Sequence, residues 1–182
     1  DGADLLYVPP VRSGAYTIPD GVVSVGYRAF DSSGVSSVSF PASLKRLENL
    51  SFHYCENLSS VTVPAHVEFI SVSAFNKCSS LFEINVDENS AHYSSLDGVL
   101  FDKLSETLLS YPDAKTGSYV VLEGVKVIEG LSFGDSFLLA EITLPSTLET
   151  INSWAFENCN ALTEIKIPAS VSLIERSAFL SC

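Results

Sequence analysis

Four cysteines are the sharpest chemical feature of this 182-residue chain. Cys55 and Cys78 stand 23 residues apart, as do Cys159 and Cys182, and Ser33 and Ser136 hold the same phase of that spacing. Cysteines on neighbouring turns of a stacked coil can bond, because a disulfide needs Cα atoms about 4.4–6.8 Å apart. A column of small buried thiols gives the same spacing without any bond, and free thiols are the expectation. Two sulfurs at each place are too few for a zinc site. His53, His66 and His92 fall at unrelated phases, and none has a serine or cysteine partner at a catalytic spacing. Asp87, Glu88, Asn89, Asp97 and Asp102 gather in one stretch and offer oxygen ligands of the kind calcium takes. Asp97-Gly98 is equally a hairpin signal, and acidic residues are common turn formers. No catalytic residue, cofactor or metal is expected, so the chain reads as non-enzymatic.

The elements that position these residues are written in a repeat of about 23 residues. Pro19, Pro41, Pro64, Pro145 and Pro168 each close a segment such as LSSVTVP (58–64), LAEITLP (139–145) or LTEIKIP (162–168). Three residues past each such point sit Val22, Leu44, Val67, Val125, Leu148 and Val171. Six past it sit Val25, Leu47, Ile70, Ile128, Ile151 and Ile174; eleven past it sit Phe30, Phe52, Phe75, Phe133, Phe156 and Phe179. The copy at 118–145 has Leu122 where proline is expected, which leaves the apolar ladder intact. A fixed period of this length means a solenoid, since one repeat cannot bury its own apolar positions without its neighbours. Alternation before each proline predicts a short strand with one buried face. The stretch around each Ala-Phe pair is too short for a helix and predicts one helical or 3₁₀ turn. The expected architecture is an α/β repeat solenoid with short parallel strands and short helical turns, interrupted by one β-hairpin-containing module.

The pattern resembles the BspA-like (Treponema-type) leucine-rich repeats of bacterial surface proteins. LTEIKIPASVSLIERSAF (162–179) and its relatives carry the repeat, and NSAHYSSLDGVLFDKLSETLLSYP (89–112) resembles the interrupting module of that family. The resemblance implies a right-handed superhelix with the strands on its concave face, on secreted or cell-surface proteins active in adhesion and protein binding. It implies no catalytic residues. The chain is expected to be a single leucine-rich-repeat solenoid over 1–182. Residues 1–86 form a first repeat block, 87–121 an irregular module and 122–182 a second block. Both ends read as cut, with residues 5–18 mirroring 108–121 and Cys182 falling midway through a repeat, so a longer parent array is expected.

A formal net charge of −12 disfavours nucleic acid, which requires a basic patch, and anionic lipid surfaces; no apolar run has the length of a membrane span. Residues between the buried positions of each strand must point outward. That face would present Ser60 and Thr62, Glu83 and Asn85, Glu141 and Thr143, Glu164 and Lys166, a column that turns acidic along the chain. These eight are the expected ligand-contacting residues, suited to a basic or hydroxyl-rich partner. Around the interruption, Tyr93 and Tyr111 are expected to replace missing core leucines, and Trp154 to pack over a neighbouring coil. The expected function is adhesion through an extracellular or host protein, at an extracellular or cell-surface location. Two alternatives stand beside it: a carbohydrate-binding module using exposed aromatics near the interruption, and a structural spacer that oligomerises through uncapped ends.

Overall fold

The computed structural model describes residues 2–182, which form sixteen β-strands and no helix. Most coils carry one longer strand before the proline position and one short strand after it. The longer strands include Ser13–Thr17, Gly34–Ser39, Ser60–Val63, Glu83–Val86, Gly117–Val120 and Leu139–Thr143. They pair in parallel twos: Ser13–Thr17 with Gly34–Ser39, Ser60–Val63 with Glu83–Val86, and Gly117–Val120 with Leu139–Thr143. The chain turns at each proline, where the carbonyl of Pro19, Pro41, Pro64, Pro145 or Pro168 accepts from the N–H three residues on. Leu122 makes the same bond to Val125 at 3.2 Å. The turn needs the carbonyl, which any residue supplies, so this departure from the repeat is silent.

The short strands build two ladders. Ala3–Leu5, Val22–Val25, Arg46–Leu47 and Phe69–Ile70 form the first, all parallel. Thr107–Ser110, Val127–Ile128, Thr150–Ile151 and Leu173–Ile174 form the second, also parallel. Equivalent apolar residues lie opposite one another, Leu47 to Ile70 and Ile128 to Ile151 to Ile174. Between the ladders, Tyr93–Leu96 and Val99–Asp102 make an antiparallel hairpin whose second strand also pairs antiparallel with Thr107–Ser110. The second ladder is therefore seeded by the hairpin.

The expected helical or 3₁₀ turns are not present. Arg28, Leu50, Leu131, Trp154 and Ser177, two residues before a phenylalanine, have φ between 53° and 60°. Two residues after it, Ser32, Tyr54, Lys77, Asp135, Asn158 and Ser181 have φ between 54° and 62°. Left-handed residues on both sides stop a right-handed helical run after a few residues. They also aim backbone groups at the next coil: Phe30, Phe52, Phe133 and Phe156 donate to the carbonyls of Ser51, Ala74, Ala155 and Ala178, each at 2.8 Å. Propensity around Ala-Phe suggests a helical turn; the demand that every turn bond its neighbour overrides it.

Inside, the phenylalanines stack. Phe30, Phe52 and Phe75 form one column with centroids 4.6 and 5.5 Å apart. Tyr111, Phe133, Phe156 and Phe179 form another at 4.9, 4.8 and 5.2 Å. Two apolar cores surround these columns, one running from Val8 to Tyr93 and including Leu100, the other from Val99 to Ala178. Adjacent hairpin residues Val99 and Leu100 thus point into different cores.

Candidate binding surface

The eight outward residues do not form one column. Ser60 stands opposite Glu83 and Thr62 opposite Asn85 on one strand pair, with the apolar partners Val61, Val63 and Ile84 buried beneath. The hairpin interrupts this face. A Cβ on Gly98 would lie 2.6 Å from the Cβ of Glu83 and 2.9 Å from its Cα, so the turn presses on that strand, and Gly98 takes φ 74° to do so. Ser95 Oγ also accepts from the Val86 N–H at 2.9 Å. Glu83 and Asn85 are consequently half-buried, while Glu141, Thr143, Glu164 and Lys166 are exposed.

Those last four residues come together. They line a cleft of about 510 Å³ between the strand Leu139–Thr143 and the segment of the next coil at 163–168, with Leu144, Ile167 and Pro168 as apolar walls. Residues 162–168 do not continue the sheet as expected: they are not a strand, although Leu162 is buried. The sequence places Glu164 and Lys166 on a strand beside Glu141; the chain instead holds them across an open cleft from it. The gap exposes the flank of Leu139–Thr143, and two carboxylates and one ammonium converge on it.

The other singled-out residues are structural. Cys55, Cys78, Cys159 and Cys182 are free thiols. Each donates to a phenylalanine carbonyl one coil back, those of Phe30, Phe52, Phe133 and Phe156, at 2.9–3.1 Å. Burial pushes the Cys159 thiol up to about 12 and raises Cys78 strongly, so neither is a nucleophile at neutral pH. His53 Nδ1 pairs with Asp31 Oδ1 at 2.7 Å, and His66 Nε2 meets the Pro41 carbonyl at 3.1 Å. Asp87 Oδ1 accepts from the backbone and side chain of Asn89, and Asp102 Oδ1 from the Thr107 N–H. Tyr93 and Tyr111 are buried, and Tyr111 occupies a slot in the second aromatic column. Trp154 lies under Arg176 of the next coil, 5.6 Å from the guanidinium carbon. The hydroxyl of Tyr93 has a role that the spacing does not reveal: it accepts from the Ile70 N–H at 2.8 Å, where another strand would otherwise pair.

Parallel strands stacked coil on coil over a phenylalanine spine define a leucine-rich-repeat solenoid. Six copies of the BspA type leucine rich repeat region match residues 14–108 and 109–182, and the chain belongs to that family. Among solved structures it is similar to the pneumococcal vaccine antigen PcpA, with 27% identity and a TM-score of 0.74 over 88% of this chain and 46% of that one. It is also similar to a leucine rich cell surface protein from Faecalibacterium prausnitzii, with 26% identity and a TM-score of 0.73 over 92% of this chain and 51% of that one. A leucine-rich repeat protein from Eubacterium ventriosum shares the fold at 19% identity, with a TM-score of 0.51 over 92% of this chain and 76% of that one. The chain spans about half the length of the first two. No curated protein matches it.

Proposed function

We propose that this chain is the recognition part of a secreted or cell-surface bacterial protein, binding an extracellular or host protein without catalysis. Its family supports a surface role, as do a cell surface protein and a vaccine antigen among its structural neighbours. The observation that carries the reading is the cleft at Glu141, Thr143, Glu164 and Lys166, where outward side chains of the strand face line a common hollow. An extended basic segment of a partner fits it, with main-chain bonds to the strand flank and the glutamates taking the positive charge. Ser60, Thr62, Glu83 and Asn85 form a flatter secondary face. The division into blocks 1–86 and 122–182 around a module at 87–121 assigns the cleft to the second block. For the alternative of a glycan ligand, Tyr93 and Tyr111 face the cores and are not available as a stacking platform, while Phe82 and Phe137 stay exposed.

The test is a binding screen of the chain against extracellular-matrix proteins and glycans, alongside a variant carrying Glu83→Lys, Glu141→Lys and Glu164→Lys. A protein hit that disappears in the variant is the expected result. Silence across the panel together with concentration-dependent self-association would replace the reading with a structural spacer.

A further inference from the structure

A second cavity, of about 160 Å³, opens on the turn side where the two repeat blocks meet, lined by Tyr54, Glu56, Lys77, Asp113, Asp135 and Phe137 among others. It is remote in sequence from the strand-face cleft and shares no residue with it. Tyr54, Glu56 and Lys77 belong to the first block's turns, Asp135 and Phe137 to a turn of the second, and Asp113 to the segment joining them.

The cavity already holds one alkylammonium. Lys77 Nζ lies 4.0 Å from Asp135 Oδ2 and 5.2 Å from the centre of the Tyr54 ring. Burial works against that charge, but Tyr54 and Asp135 outweigh it and push the Lys77 pKa up. Asp135 is otherwise satisfied, accepting from Asn158 Nδ2 at 2.8 Å and from Asn76 Nδ2 at 3.5 Å. Asp113 is not. The residue as a whole is half-buried, yet its Oδ2 is sealed from solvent and has no hydrogen-bond partner. Burial first, then the neighbouring Asp135, drives its pKa well above the usual carboxylate range; the Cys78 N–H and Lys77 pull more weakly the other way. Phe137 and Tyr54 line the same cavity and keep 46% and 40% of their surface exposed, with Lys77 over the Tyr54 ring and His53 against it.

We propose that this cavity receives an arginine side chain of a partner protein. A guanidinium is planar and stacks on aromatic rings, and it carries five donors in a fixed fork. Asp113 and Glu56 both line the cavity and supply the carboxylate acceptors for that fork. The volume is about five times the roughly 30 Å³ of one water, room for a guanidinium head. A hard metal ion fits less well: it requires six or more oxygens, and among the described residues no three ligating side chains converge. The ammonium position is filled by Lys77, which leaves the planar cation as the better complement. Because Asp113 must be ionised to hold it, binding strengthens as pH rises through the raised pKa of that group. The other titratable groups nearby are Glu56, Asp135, Glu157, Lys77, Tyr54, Cys55, Cys78 and His53, whose ring lies 4.3 Å from that of Tyr54.

The experiment is an NMR titration of the whole chain with acetyl-arginine methylamide at pH 5.5 and pH 8, with acetyl-lysine methylamide and calcium as controls. Saturable shifts on the Tyr54 and Phe137 rings are expected, tighter at pH 8. Asp113→Asn should weaken them about tenfold and remove the pH dependence. Phe137→Ser, at an exposed ring, should weaken binding without unfolding the chain, and the Glu141 and Glu164 reversals should leave it unchanged, separating this site from the strand-face reading. No saturable shift by about 10 mM, equal binding in Asp113→Asn and Phe137→Ser, or a preference for the lysine probe or calcium would each overturn the proposal.

Discussion

The two aromatic columns are built alike and end differently. Phe30, Phe52 and Phe75 stack with interplanar angles of 19° and 18°; Phe133, Phe156 and Phe179 stack at 10° and 6°. Both rise coil by coil because each repeat places a phenylalanine at the same phase. The first column stops at Phe75, and its short-strand ladder stops at Ile70, whose N–H is taken by the Tyr93 hydroxyl. The second column starts at Tyr111, and its ladder starts on a strand that the hairpin pairs antiparallel. Residues that obey the repeat make the coils. Those that break it close one stack and open the next.

Substitutions that separate column interiors from column ends should show the largest effect. Phe156→Ala removes a fully buried ring stacked on both faces and should cost about 3–5 kcal/mol. Phe75→Ala, stacked on Phe52, should fall near 3 kcal/mol. Urea midpoints measure both, and an unchanged midpoint in either would show the repeat register to be misread.

A glycine pair probes the hairpin junction next. Gly98→Ala combines φ 74° with a clash against the Glu83 backbone and should cost about 2–4 kcal/mol. Gly117→Ala has φ 81° but open space, and should cost about 1 kcal/mol. Equal losses would mean that the turn does not bear on Glu83.

The closing of the first ladder depends on a single hydroxyl. Tyr93→Phe keeps the ring and orphans the Ile70 N–H, a loss of about 1–2 kcal/mol, with hydrogen exchange accelerated at Ile70 but not at Ile128 of the second ladder. Exchange unchanged at Ile70 would show that the hydroxyl does not cap it.

The smallest effect is on alkaline stability. The fold keeps the Cys159 thiol protonated, with its pKa raised from 9.0 to about 12 by burial. That contribution is full below pH 9 and is lost as pH climbs toward 12, at about 1 kcal/mol by pH 10. Tyr111, pushed up to about 12, adds a similar loss starting near pH 10. Cys159→Ser should flatten the fall in urea midpoint between pH 9 and 10, and a fall unchanged in that variant would show that burial of this thiol does not set it.

Much of the coil was legible in the sequence because apolar phase and stacking are the same fact. Val25, Leu47, Ile70, Ile128, Ile151 and Phe156 are buried where the period puts them. The turns were not legible, since the left-handed positions are held by residues as different as Arg28, Leu50, Trp154, Tyr54, Lys77 and Asp135. Position on the strand face was readable only one coil at a time. Alternation points Glu83 and Glu141 outward alike, but it carries no information about the hairpin turn pressing on one or the cleft opening beside the other. Asp113 had no sequence signal at all; its isolation arises where two stacks meet.

The most direct measurement sets the two halves of the strand face against each other. Binding of a matrix protein selected in the screen would be followed by surface plasmon resonance for two double variants, Ser60→Lys with Glu83→Lys and Glu141→Lys with Glu164→Lys. Binding should be lost in the second pair and stay within about twofold of the parent in the first. Loss confined to the first pair, or binding indifferent to both, would contradict recognition at the cleft.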